Sequence, residues 1–264
     1  MWLSIVLLTI SVYCFAAWRL FDAGAAAVRL PWVGVLAAGL HGLAIALTWR
    51  AGGAVVMGFP LAVSAVGLCL VLVFLALGAS RRIASLGTAI FPIAAFSLVV
   101  HALLATGQDV RPDRAVTDWR ILLHAALALL AFATLLMGAL TSVMLGLQER
   151  ALKARRFQTW MDRVPPLTQV EALVFHLIGA GFGMLTLALV TGALFVEDLF
   201  AQHLAHKTVL SVLAWLVYGG LLLGRWRLGL RGIRAVRWTL LATAFLSLAF
   251  LGSKFVLEIL LQRP

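Results

Sequence analysis

Acidic residues are scarce in this chain. Ten Asp and Glu stand against 21 Lys and Arg in 264 residues, and charged residues of both signs make up only 12%. A soluble domain carries about a quarter, so a water-soluble enzyme is excluded first. Cysteine is nearly absent: Cys14 and Cys69 each sit inside an apolar run. No C-x-x-C occurs, which removes a dithiol redox pair and a zinc knuckle, and no C-x-x-C-H occurs, which removes the usual covalent attachment of haem. Apolar residues fill the space. They make up 63% of the chain, with a mean hydropathy of +1.06, far more than a solvated disordered coil tolerates.

The net charge of +11 would suggest nucleic acid in a soluble chain. Here no basic face with a reading element is present, and most basic residues lie between apolar runs, where they set orientation. Nucleic acid is therefore excluded as a partner. The lipid bilayer is the partner that the composition requires.

A spanning helix needs about 20 apolar residues. Eight runs qualify: Trp2–Leu20, Pro31–Trp49, Phe59–Gly78, Leu86–Thr106, Arg120–Leu147, Ala172–Phe195, Thr208–Gly224 and Val236–Leu261. The fifth is long enough to tilt or to project beyond the core. The first lacks a basic leader and is as long as a span, so it reads as an uncleaved helix. The longest connections are Gly107–Trp119 and Gln148–Glu171. The expected fold is all-α, one transmembrane domain over residues 1–264 with eight transmembrane helices. Placing the N-terminus outside gives the inner loops twice as many Lys and Arg as the outer ones, chiefly through Arg150–Arg163 and Arg225–Arg237. The positive-inside rule thus favours N-out and C-out.

Ionisable groups inside lipid are costly and mark function by default. No Asp or Glu falls in mid-span, which disfavours proton relays and coupled cation sites. Histidine does occur there. His41 lies near the middle of the second run, His101 near the outer end of the fourth, His124 near the outer start of the fifth and His176 near the inner start of the sixth. His203 and His206 fall in the outer loop that follows the sixth run.

Imidazoles in a greasy bundle suit an apolar ligand such as haem, whose iron takes one or two axial ligands. Its faces want apolar and aromatic walls, and its propionates want Arg or Lys. Trp119 and Arg120 stand beside His124, and Lys207 beside His206. A bis-His pair of His101 and His124 is geometrically possible. The plainer alternative is that each histidine bonds a neighbouring helix, worth about 1 kcal/mol. A zinc site has no tight ligand spacing to support it. Gly179 and Gly183 form a small-xxx-small step, read as tight helix packing. Trp2, Trp32, Trp49, Trp119 and Trp226 read as an interfacial belt. The Arg225–Arg237 stretch reads as an anchor to anionic lipid.

Several separated motifs, in order, resemble the cytochrome c assembly superfamily (CcsA/CcmC/HemX-like). They are Leu122-Leu123-His124-Ala125 with Phe132-Ala133-Thr134-Leu135; then Pro165-Pro166-Leu167, Glu171, Phe175-His176, Gly181-Phe182, Thr186 and Thr191-Gly192; then His206-Lys207-Thr208 through Tyr218. They are most similar to its short YpjD-type inner-membrane branch. The similar region runs from about residue 60 to about residue 260. The resemblance implies a multi-pass protein of the bacterial inner (plasma) membrane that handles haem in support of cytochrome c biogenesis, alongside other maturation proteins. It implies His124 as axial ligand to haem b, and hence to the haem iron, with His41 and His176 next. His101 is added on geometry alone.

The chain departs from the larger members in three places. Val196–Ala205 has no Trp-rich motif. Leu251-Gly252-Ser253-Lys254 stands where a second external histidine falls, and Gly224-Arg225 where the family often has histidine. That leaves haem binding or an accessory role, without covalent chemistry and so not enzymatic. The competing expectation is a transporter or accessory protein with structural histidines and no haem.

Overall fold

The computed structural model describes residues 2–23, 31–52, 58–77, 84–105, 118–154, 165–195 and 202–252. Eight α-helices fill them: α1 (Trp2–Ala23), α2 (Pro31–Gly52), α3 (Phe59–Ala76), α4 (Ala84–Ala105), α5 (Trp119–Lys153), α6 (Leu167–Phe195), α7 (Gln202–Leu228) and α8 (Ile233–Ser247). A π turn, Leu248–Gly252, continues α8. No strand occurs among the described residues. Lipid offers no partner for a free N–H or C=O, so apolar runs of this length close their hydrogen bonds internally as helices. Seven are long and apolar enough to cross a membrane, and the Trp32–Thr48 stretch of α2 is a shorter apolar helix. The chain is a polytopic α-helical membrane protein.

Three described boundaries extend the apolar runs by five residues or more. α5 continues to Lys153, and Lys153 Nζ bonds Glu149 Oε1 at 2.6 Å, one turn back, a spacing that supports a helix. α6 starts at Leu167, where the Pro166 carbonyl accepts from the Gln169 and Val170 amides. α7 starts at Gln202, so His203 and His206 lie on a helix rather than in the expected outer loop. The Gln202–Lys207 segment holds neither Gly nor Pro to prevent this.

The chain divides into two compact units, Met1–Asp118 and Trp119–Pro264. In the first, α1 packs on α2 and α4, and α3 packs on the same two. The second repeats this connectivity: α5 packs on α6 and α8, and α7 on the same two. Tails of lipid are as apolar as leucine, so close backbone approach and polar contacts hold such bundles together. Gly67 of α3 lies so near Ser97 and Ala94 of α4 that no side chain would fit. On α6 it is Gly181 that meets α5, with Leu135 Cγ 2.6 Å from where a Cβ would stand. Gly179 and Gly183 have nothing within 4 Å among the described residues, so the small-xxx-small step is not the packing surface expected of it.

Candidate functional site

The histidines fall into distinct chemical states. In the first unit His41 of α2 is fully buried. Its Nδ1 lies 3.0 Å from the Tyr13 hydroxyl of α1, and its Nε2 lies 2.9 Å from the Ser64 hydroxyl of α3. Both ring nitrogens are therefore engaged, and the imidazole joins three helices. Tyr13 also stacks on Phe91 of α4 at 5.9 Å, which brings the fourth helix to the same point. Nothing in the spacing of Tyr13, His41 and Ser64 announces this junction. It exists only once the bundle is assembled.

His101 of α4 is the opposite case. It is 3% exposed, and neither ring nitrogen has a hydrogen-bond partner among the described residues. Trp2 stands edge-on to it at 6.2 Å, and the Trp2 indole N–H is itself donated to the Ala44 carbonyl at 3.1 Å. The Pro60 backbone approaches His101 from α3 without closing a well-formed hydrogen bond.

In the second unit His124 is half-buried near the start of α5. Its Nδ1 lies 2.9 Å from the Ala188 carbonyl of α6 and 3.3 Å from Thr191 Oγ1. A carbonyl only accepts, so Nδ1 carries the proton. Thr191 donates its own hydroxyl to the Leu187 and Ala188 carbonyls, which leaves its oxygen to accept from the ring. Nε2 is thereby fixed as the lone-pair nitrogen, and none of its bonds goes to a described residue. This is the arrangement in which a metal-binding histidine is usually held. Gly192 makes it possible, because a Cβ there would stand 2.9 Å from His124 Cε1.

Other groups gather at the same end of this unit. Lys207 stands near the start of α7, and its ammonium lies 5.9 Å from the Phe250 ring. Phe250 sits on the π turn and stacks on Phe132 of α5 at 5.1 Å. π turns recur at functional sites. Trp119 and Phe195 lie 6.3 Å apart, with the Arg120 guanidinium 6.0 Å from the Trp119 ring. A basic imidazole nitrogen, two cations and several aromatic rings thus share one end of α5–α8. Phe250 gave no sequence signal, since an unusual turn places it.

His176 is exposed on α6, and His206 is exposed on α7. His101 and His124 belong to different units. Among the described residues no three His, Cys, Asp or Glu side chains gather as a metal cluster. The donor set near His124 suits a ligand that takes one imidazole and supplies its remaining coordination itself.

A family model for the cytochrome c assembly protein matches residues 54–261. The chain is 42% identical over 141 residues to an uncharacterised 28.8 kDa protein of Azospirillum brasilense, covering 53% of this chain and 52% of that one. It is 32% identical over 178 residues to the inner membrane protein YpjD of Escherichia coli K12, covering 66% of each. It is 30% identical over 139 residues to protein HemX of Brevibacillus brevis, covering 52% of this chain and 51% of that one. The matches span about half to two thirds of the length of these relatives. No solved structure matches the chain.

Proposed function

The chain belongs to the cytochrome c assembly protein family, and from that membership we propose that it is a multi-pass inner-membrane protein that binds or passes haem b in support of cytochrome c biogenesis. The observation that carries the reading is the His124 Nδ1 bond to the Ala188 carbonyl, which leaves Nε2 as the group offered to iron. Lys207 and Arg120 supply cations for the two propionates. Trp119, Phe195, Phe132 and Phe250 supply aromatic walls. Haem brings its own redox chemistry when bound. The residues of this chain grip and orient it, and form no covalent bond to it, so the role is carrier or accessory rather than enzyme.

The remaining candidates rank by their nitrogens. His101 is buried with both free. His176 is exposed. His41 would have to give up two hydroxyl partners before it could bind iron. At that residue the structural role is the favoured one.

A pyridine-haemochrome assay on the purified protein tests the proposal. The expected result is haem b in the unaltered chain, with a Soret band that H124A loses at unchanged expression. A colourless protein from cells fed haem precursor, or a Soret band untouched by H124A, would sink it.

A further inference from the structure

A second polar site lies at the other end of the α5–α8 unit, about 38 Å along α5 from His124. There a cleft of about 320 Å³ opens between the end of α5 and the turn that joins α7 to α8. Glu149 and Lys153 line it from α5, Arg231 and Arg234 from the turn and the start of α8, and Leu228 and Leu230 from the end of α7 and the turn. Its volume is that of roughly ten waters, enough for a small polar head group.

The charges in the cleft do not cancel. Lys153 Nζ sits 2.6 Å from Glu149 Oε1, which offsets that carboxylate. The other oxygen, Oε2, is buried and tucked behind Gly232, where a Cβ would stand 2.7 Å from it. Gly232 has φ +62, a backbone conformation that favours glycine, so the tucked position is built into the turn. Arg231 and Arg234 are both exposed, and neither closes an ion pair with a described residue. Two cations therefore remain on offer.

The surroundings indicate which anion fits. The cleft lies between a span that ends at Leu228 and one that starts at Ile233, so it stands at a membrane boundary. Trp226 is 76% exposed and Trp238 49% exposed, as aromatic residues at the head-group level are. Leucines beside paired arginines suit an amphiphile, with a charged phosphate and an apolar tail, better than a free ion. We propose that this cleft seats the phosphate of an acidic phospholipid, held by Arg231 and Arg234 with Leu228 and Leu230 against the start of its acyl chains.

Native mass spectrometry of the full chain, purified in detergent and offered phosphatidylglycerol, phosphatidylcholine or inorganic phosphate, tests this. One phosphatidylglycerol is expected to stay bound in preference to phosphatidylcholine. R231Q/R234Q is expected to bind it about thirtyfold more weakly, the loss that two ordinary head-group cations imply. R150Q/R227Q removes the same charge outside the cleft lining and is expected to bind as the unaltered chain does, and R231K/R234K to retain most of the affinity.

Equal weakening in both Gln pairs would overturn the proposal, because bulk surface charge would then explain the binding. Equal retention of phosphatidylcholine would overturn it as well. Displacement of the lipid by inorganic phosphate at matching concentration would assign the cleft to a free ion instead. If R231Q/R234Q does not fold, the single variants R231Q and R234Q are compared with R150Q: weaker retention of phosphatidylglycerol in the cleft variants alone supports the site, and equal retention in all three overturns it.

Discussion

The proton on His124 Nδ1 determines what that ring can do. Held on the Ala188 carbonyl, it leaves Nε2 basic and fixes the plane of the imidazole. Gly192 is the space that allows this. G192A would drive a methyl group into the ring edge, which must swing off the carbonyl. The expected result is a clear fall in haem bound per chain with the helical content unchanged. G183A on the same helix meets nothing within 4 Å and is expected to bind as the unaltered chain does. Equal haem retention by both would show that the seat of His124 does not matter.

His41 calls for the opposite outcome. Y13F removes the hydroxyl from its Nδ1 and leaves a buried nitrogen unpaired, at a cost of about 1 kcal/mol. S64A does the same at Nε2, and the double variant is expected to unfold more readily in a denaturing-detergent titration than either single one. Haem content should stay unchanged in all three. Loss of haem in H41A, or a gain of haem in Y13F, would place His41 among the ligands.

At the scale of elements, apolar content located the eight described helices, while polar contacts mark the end of α5 and the start of α6. α5 has 35 residues, about 52 Å of helix against a hydrocarbon core of about 30 Å. Its projection was legible as an overlong run. Its last turn was not, because Gln148–Lys153 looks like loop until the Glu149–Lys153 bond and the Gln148 bond to the Pro165 carbonyl at 3.1 Å are seen. The start of α7 was hidden for the same reason: hydropathy falls at His203–Lys207 while helix propensity does not.

A further contact between elements had no trace in the sequence. Arg225 of α7 bonds Glu171 of α6 at 2.6 Å and lies 4.5 Å from the Phe175 ring. A planar guanidinium can lie on the ring and bond the carboxylate at the same time, whereas the compact ammonium of lysine cannot take both positions at once. R225K is therefore expected to lower stability by about 1 kcal/mol in the same detergent titration, with haem content unchanged. Unaltered stability would show that the pair latches nothing.

For the whole molecule, the class and the candidate end of α5–α8 were legible because greasy length and an isolated imidazole both show in the chain. The division into two units was not. It rests on which helices touch, and eight similar apolar runs do not encode that. The orientation can still be argued from charge. Within the second unit Lys153, Arg225, Arg227, Arg231 and Arg234 mark one end, near the close of α5 and the α7–α8 turn, while His124, Lys207 and Trp119 mark the other. The positive-inside rule argues for the basic end in the cytoplasm, and on that ground we propose that His124 lies on the outer side, where c-type cytochromes would meet haem under the proposed role. In a chain whose Cys14 and Cys69 are replaced, H206C at the start of α7 is expected to react with a membrane-impermeant maleimide on intact cells. A154C, exposed just past α5, is expected to react only after the membrane is opened. The reverse pattern would put His124 on the cytoplasmic side, and haem could then be received there but not handed outward from that residue.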